Sequence, residues 1–404
     1  MATAMRRGES SLNWRISRFS DLQYPRSTSR VVFVKVVHMT SVHSALDHRI
    51  FKKECRSLAQ AGFDVTVVGP HSGDSVHEQV RIKSVRKHLS RLSRITRTAW
   101  NVYREAEKQA ADVYHFHDPE LIPLALLLRM KGKRVIYDVH EDYPRDIFYK
   151  PYLPRWSRKP IAWFAEALET LAGRHFSAIV AVTPAIAERF AESNQRTVIL
   201  FNYPYAEELK STNPQPWQSR RQSVAYIGTI TPQRGIAEMI QAVGLLPESL
   251  APKLEIAGDV MPREMIVLPG WPRVEFHGTL GQSAAYELLT QVRVGVVCEH
   301  PIPTFVEAIP VKLFEYMGAG LPVIASNFSL WRKMLEGIDC AIFVDPMNVE
   351  EIAKAMEYLL THPREAEEMG RRGQAAVANN FNWNTEARKL VSLYLDLVPQ
   401  PCAA

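Results

Sequence analysis

Glu307 and Glu315 close the two ends of the run EAIPVKLFE, which is followed at once by YMGAGLPVI. Pro310 suits the first turn of a helix, and Gly318 or Gly320 with Pro322 ends it before the next strand. Glu315 is therefore expected on a short helix and Glu307 in the loop ahead of it. Backbone N–H groups at a helix start attract a diphosphate, and the helix dipole favours its charge. A carboxylate accepts hydrogen bonds from paired hydroxyls. Two carboxylates flanking a phosphate site suit a nucleotide sugar. Two glutamates alone would be ordinary solvated groups; the loop, helix and strand around them favour the first reading.

Such residues need a frame, and the chain supplies one twice. RVVFVKVV, FDVTVVGP, Val113–Phe116, RVIYDVH, AIVAV and TVILFN read as buried parallel strands. A helix is expected from Asp47, a fair N-cap, to Ala61, with Gly62 as its stop. After a polar, proline-bearing stretch the pattern resumes with SVAYIG, KLEIAG, RVEFHG, RVGVVCE, LPVIAS and AIFVD. Asn348 with Glu351 marks one helix start in this half. Strands alternating with helices imply doubly wound α/β sheets. The expected architecture is two Rossmann-like α/β domains facing across a cleft, with ligands at the carboxyl ends of the strands. The expected divisions are a disordered leader (1–28), an acceptor-side domain (29–205), a linker (206–222), a nucleotide-sugar domain (223–384), and a C-terminal helix and tail (385–404) packing back on the first domain.

Bulk properties narrow the class. The 404 residues suffice for two large domains, and 46% hydrophobic with 23% charged residues is a globular balance. Cys55, Cys298, Cys340 and Cys402 are scattered without C-x-x-C spacing, which argues for a reducing compartment and against a zinc site. No stretch is apolar enough to span a bilayer, and no secretory signal is apparent, so a cytoplasmic location is expected.

The net charge of +6 is unevenly spread. Residues 81–97 carry seven Lys/Arg and no acid, residues 1–30 carry +4, and the rest sums to −5. Such local basicity suggests an anionic surface or ligand rather than nucleic acid, which is not expected as a partner. Arg91, Arg94 and Arg97 share one helical spacing, and Leu89, Leu92 and Ile95 another. Two readings stay open there: an interfacial helix on anionic lipid, or a solvated helix packing its leucines on its own sheet. Tyr149–Phe164 also mixes Lys150, Arg155, Arg158 and Lys159 with Tyr152, Trp156 and Trp163. Lipid-linked acceptors at the inner face of the cell membrane would account for both stretches.

The segment from Glu307 to Glu315 resembles the E-x7-E signature of glycosyltransferase family 4, retaining enzymes of the GT-B fold. HSALDHRIFKKECRSLAQAGFDVTVV is similar to the opening of members that build bacterial surface polysaccharides. DVYHFHDPEL, KRVIYDVHEDYP, AYIGTITPQRG, LEIAGD and KLFEYMGAGLPVIAS resemble further family blocks in the expected order, over about Val31 to Val398. The resemblance implies a sugar moved from a nucleotide diphosphate sugar to a saccharide or lipid-linked acceptor. It implies that Glu315 holds the ribose hydroxyls and Glu307 those of the donor sugar. Arg234, beside Gly235, then stands where the family puts a diphosphate ligand, with Lys312 as a second cation. His117 matches a family histidine at the reaction centre; a core histidine satisfied by backbone is an equal alternative for that residue.

Two departures follow. His38-Met-Thr-Ser-Val-His43 replaces the family's Gly-Gly loop, so His43, Asp47 and Arg49 are candidates to meet the acceptor instead. Thr229 stands where members often have a basic residue, which throws the diphosphate onto Arg234, Lys312 and backbone N–H groups. No D-x-D is present, so neither a metal ion nor a cofactor is expected; the nucleotide sugar is a substrate. A dehydrogenase is disfavoured because no strand runs into G-x-G-x-x-G. A same-fold epimerase or phosphorylase, or a non-catalytic sugar-nucleotide-binding relative, stays as the alternative.

Overall fold

The computed structural model describes residues 34–88, 90–150, 153–209, 215–250, 252–259 and 271–398. The expected leader lies outside the described residues, as do 210–214 of the expected linker, Leu89, Tyr152 and Cys402.

The first sheet holds β1 (Lys35–Met39), β2 (Asp64–Pro70), β3 (Ser75–His77), β4 (Val80–Val85), β5 (Val113–Phe116), β6 (Arg134–Val139), β7 (Ala178–Ala181) and β8 (Thr197–Ile199). Its order is β3-β4-β2-β1-β5-β6-β7-β8, parallel except for the β3–β4 edge pair. Successive strand residues point to opposite faces, and the packing follows that alternation. Val37, Met39, Tyr114, Phe116 and Tyr137 join one core with α2 (Ala99–Lys108), α3 (Ile122–Met130) and the C-terminal end of α4 (Arg155–Gly173). Val36, Val65, Val113 and Ile136 join the opposite core with α1, which runs as His48–Cys55 and on through Arg56–Gln60.

The second sheet holds β9 (Arg221–Ile227), β10 (Leu254–Ala257), β11 (Val274–Phe276), β12 (Val292–Val297), β13 (Val323–Ser326) and β14 (Ala341–Val344), all parallel, in the order β11-β10-β9-β12-β13-β14. Val224, Tyr226, Ile256 and Val294 pack under Ile236–Leu245 (α5) and Val349–Thr361 (α6). Ala225, Val297 and Ala325 pack on the other face with Val311–Gly318 (α7). This is the α/β architecture expected, with a crossover at the reversal of strand order in each sheet.

The chain crosses between domains twice. It leaves β8 through Leu200–Tyr203, and it returns in α8 (Trp383–Leu397), whose Trp383 amide donates to Pro204 O at 2.8 Å. The Trp383 indole donates to Ser57 Oγ at 2.8 Å, and Leu390, Leu393 and Tyr394 enter the α1 core of the first domain.

The basic run divides in two. Arg81 and Lys83 lie on β4, where they alternate with the buried Val80 and Ile82. Only the part from Arg91 is helical, leading through Arg94–Thr98 into α2. Leu92 and Ile95 are exposed there, so they do not pack on the sheet. Among the described residues, no helix is long and apolar enough to cross a membrane.

Candidate active site

Strand alternation builds a buried polar row under the cleft. His38 on β1 is paired in register with His115 on β5, and Asp138 on β6 points to the same face. His117, one residue past β5, falls beside Asp138. Arg49 of α1 reaches the Asp138 carboxylate through Nε and Nη2, each at 3.2 Å, and gives Nη1 to Leu200 O at 3.2 Å. Its Nε also lies 3.1 Å from Glu54. One buried guanidinium thus faces two buried carboxylates. Burial opposes both charges, but Arg49 and the imidazoles beside Asp138 hold its carboxyl well below the usual range. Burial and the charge of Asp138 push Glu54 well above it.

Burial also pulls His38, His115 and His117 toward the neutral form; His117 is pushed down to about 4 despite Asp138. With neutral rings, the sense that gives the carboxylate its donors runs as a chain. His115 Nδ1 donates to the Tyr394 hydroxyl at 2.8 Å, and that hydroxyl donates to His38 Nε2 at 3.2 Å. His38 Nδ1 donates to His117 Nε2 at 2.9 Å, and His117 Nδ1 faces Asp138 Oδ2 at 3.3 Å. Both nitrogens of His117 are therefore engaged, and its side chain has no exposure. The ring that reaches the cleft is His140, 17% exposed, whose Nε2 lies 3.0 Å from Asp138 and 3.1 Å from His117 Nδ1.

Two side-chain groups in this row have metal-ligand spacing: His38, Glu54, His115 and His117, and His117, Asp138 and His140. Each already has the Arg49 cation against its carboxylate, and the ring nitrogens are largely spent on one another and on Tyr394. The residues fit an internal hydrogen-bond network better than a metal centre.

His140 opens on a cavity of about 390 Å³ between the domains, a size common for small-molecule sites. His43, Asp47 and Arg49 line it from the first domain, and Thr304, Glu307 and Phe314 from the second. Asp47 caps α1, accepting from the Arg49 and Ile50 amides at 2.8 and 3.0 Å. The loop after β1 is folded over Asp118, which accepts from Thr40 Oγ1 at 2.8 Å and the Ser41 amide at 2.6 Å. These bonds satisfy the buried polar groups of the loop. Glu307 caps the end of the short helix Pro303–Val306 and forms an ion pair across the cleft with Arg145. Thr304 Oγ1 donates to Asp146 at 3.3 Å beside it.

Behind Glu307, at the carboxyl ends of β9 and β12, lie the expected donor cations. Arg234 and the Lys312 ammonium both contact Glu299 Oε1, the latter at 3.2 Å. Lys312 also donates to Tyr226 Oη at 3.1 Å, and Arg234 stacks over Phe305 at 4.9 Å. Burial, with Arg234 adding repulsion and Glu299 opposing, pulls Lys312 down to about 8. Gly235 takes φ +69°, and a Cβ there would lie 1.8 Å from Cys298 O; only glycine lets this turn meet the strand end. Glu315 is half-buried on α7 and accepts from Tyr286 Oη at 3.2 Å. Burial raises its carboxyl, against Tyr286, Lys53 and Lys312.

The sequence-derived candidates thus fall into three places. His43, Asp47, Arg49 and Glu307 share the cleft cavity; Arg234, Gly235 and Lys312 gather around Glu299; Glu315 stands one helical turn beyond Lys312. His117 lies behind His140 rather than on the cavity wall. Sequence reasoning missed Glu299, Arg145 and His140. Glu299 ends the strand RVGVVCE, where ligand-facing residues of such sheets belong, and His140 sits in the equivalent place after β6.

Residues 49–202 match the family model described as Glycosyltransferase Family 4, and residues 209–376 match that of Glycosyl transferases group 1. The MMP α-(1→4)-mannosyltransferase of Mycolicibacterium hassiacum is 25% identical over 294 residues, 69% of each chain. Sucrose-phosphate synthase from Thermosynechococcus elongatus superposes with a TM-score of 0.71 at 16% identity, over 90% of this chain and 99% of that one. Anabaena Alr3699/HepE, solved with UDP, gives 0.66 at 14% identity, over 90% and 99%. With both halves matched in order and the two facing sheets in place, the chain belongs to glycosyltransferase family 4 and is a glycosyltransferase of the GT-B fold.

Proposed function

We propose that this glycosyltransferase moves a sugar from a nucleotide diphosphate donor to a saccharide or lipid-linked acceptor, with retention at the anomeric carbon, in the building of cell-surface polysaccharide. The observation that carries the reading is the pair Arg234 and Lys312, held on the one carboxylate of Glu299 between Glu307 and Glu315. Two cations at the carboxyl ends of a parallel sheet are what a departing diphosphate requires. The solved complexes of the HepE relative with UDP and with UDP-glucose, on the same fold, support that ligand class.

In this reading the bond from the anomeric carbon to the phosphate oxygen breaks with its electron pair leaving on the diphosphate. Arg234 and Lys312 neutralise that charge without a divalent ion. The acceptor hydroxyl forms the new carbon–oxygen bond on the same face, and its proton passes to the departing phosphate oxygen. Glu315 takes the ribose hydroxyls. Glu307 takes hydroxyls of the transferred sugar, which must compete with Arg145 for it. His140 meets the sugar or acceptor from the first domain, and His117 acts through it by fixing its ring against Asp138. His43, Asp47 and Arg49 form the acceptor-side wall.

The test is proton NMR of the glycoside formed from an α-linked nucleotide sugar in excess EDTA. The reading predicts an α-linked product; a β-linked product, or transfer only with added metal, would remove retention or metal independence from it.

A further inference from the structure

Helix α4 is built inside out. Its buried residues are Ser157, Ala162, Glu169, Ala172 and Gly173, small except for one glutamate that pairs with Arg189. Its large apolar side chains face solvent: Trp156 is 82% exposed, Trp163 71%, Phe164 64% and Leu171 56%. These four, with Pro160 and Ala167, recur at the spacing of a single helical face. Large aromatics are ordinarily among the most buried residues, so an exposed row of them marks a surface that another phase or molecule covers.

The row belongs to a wider patch. Among the described residues, nine of the seventeen exposed large hydrophobics lie between Trp100 and Leu171. They include Trp100 on α2 and Met130 at the end of α3, helices that pack the same side of the first sheet as α4. Along α4 itself the exposed charge is mostly of one sign. Arg155, Lys159 and Arg174 are exposed, and none is in an ion pair among the described residues. Glu166 is the one exposed acid of α4.

That charge decides between occupants. In a pair of copies stacked through this face, parallel or antiparallel, rows of cations would meet rows of cations with only Glu166 to offset them. An anionic bilayer offers the complementary charge. Tryptophan rings suit the headgroup level, where one side is apolar and the other wet. A helix of this length, about 28 Å, can lie in that plane with its stripe sunk into the acyl boundary.

We propose that α4 is the docking face of this protein on an anionic membrane. In the basic run 81–97, by contrast, Arg81, Lys83 and Arg94 are paired with Asp64, Asp74 and Glu120, so much of its charge is spent within the protein. The chain enters α4 from the rim of the cleft, through Tyr143–Asp146, where Arg145 meets Glu307, and the exposed Phe148 and Tyr149. Docking on α4 therefore anchors the chain within about ten residues of Arg145 and Asp146, which line the cavity. The docking face does not depend on the transfer chemistry, and a lipid-linked acceptor is what such a placement would serve.

The experiment is co-sedimentation of the full chain with phosphatidylglycerol vesicles and with phosphatidylcholine vesicles at low and high salt. Three proteins are compared: wild type, the triple change W156S/W163S/F164S, and the triple change R155E/K159E/R174E. Circular dichroism and thermal melting of each establish that the fold is kept. Wild type is expected to sediment with phosphatidylglycerol at low salt and less so at high salt, because exposed charges are screened. Both variants should bind at least tenfold more weakly. No sedimentation of wild type at low salt, or folded variants that bind as wild type does, overturns the proposal. So does a wild-type dimer in solution that the aromatic changes dissociate, since a second copy would then be the occupant.

Discussion

Lys312 donates to a Glu299 carboxylate oxygen 3.2 Å away, and the same oxygen faces Arg234. Without a ligand, two cations thus share one anion, and Lys312 titrates near 8 rather than near 10.5. A diphosphate binds the protonated ammonium. Its affinity should be flat below about pH 8 and fall above it, by up to tenfold per pH unit, as the free lysine loses its proton. Lys312→Arg should remove that fall, since arginine stays charged. Glu299→Gln takes away the group that raises the lysine, so the fall should begin at lower pH. Calorimetric titration of nucleotide diphosphate between pH 6 and 9 measures all three proteins; a wild-type affinity flat to pH 9 would separate Lys312 from the diphosphate.

His117 and His140 should respond differently to removal. His140→Ala leaves Asp138 its bonds to Arg49 and is expected to cost about one to two decades in kcat, the loss of one hydrogen bond to the reacting sugar or acceptor, with little change in Tm. His117→Ala breaks the chain behind it and leaves buried partners unmet, which costs about 1–3 kcal/mol of stability. Steady-state kinetics beside thermal denaturation distinguishes them. An active His140→Ala protein would take the cleft role away from that ring.

Tyr394→Phe removes the hydroxyl that joins His115 to His38. Two buried ring nitrogens lose their partner, and stability should fall by about 1–3 kcal/mol, read from the midpoint of urea unfolding. An unchanged midpoint would mean that the hydroxyl does not link α8 to the polar row.

Gly235→Ala should displace the loop that presents Arg234, because its Cβ would meet Cys298 O at 1.8 Å in a left-handed backbone. A loss above about 1 kcal/mol of stability and weaker nucleotide binding are expected together. Normal binding would show that the loop reaches the diphosphate by another route.

The sequence was most legible where the signal is local. Alternating strand and helix patterns marked both sheets, the Asn348 side chain does accept from the Glu351 amide, and the Asp47 cap is in place. The segment from Glu307 to Glu315 could be read because loop, helix and strand follow one another within a few residues. What escaped is non-local. Arg145 meets Glu307 across 162 positions, and Tyr394 meets His38 across 356. Neither partner carries a local mark of the other. The burial of His117 depends on which face of three paired strands α1 and α8 cover, and strand periodicity alone does not say that. The charge run from Arg81 shows a converse error. Seven cations within seventeen residues suggested one element, while Val80 and Ile82, alternating with Arg81 and Lys83, put its first part on a strand.

Whether Arg234 holds a donor diphosphate and Glu315 its ribose is read out by titrating UDP, GDP and their sugars into wild type, Arg234→Ala and Glu315→Ala. One nucleotide should bind wild type, and each variant should bind it more weakly by about 1.5–3 kcal/mol, one to two decades in Kd, with the melting temperature of the free protein unchanged. Folded variants that bind the nucleotide as wild type does would take both roles away from these residues.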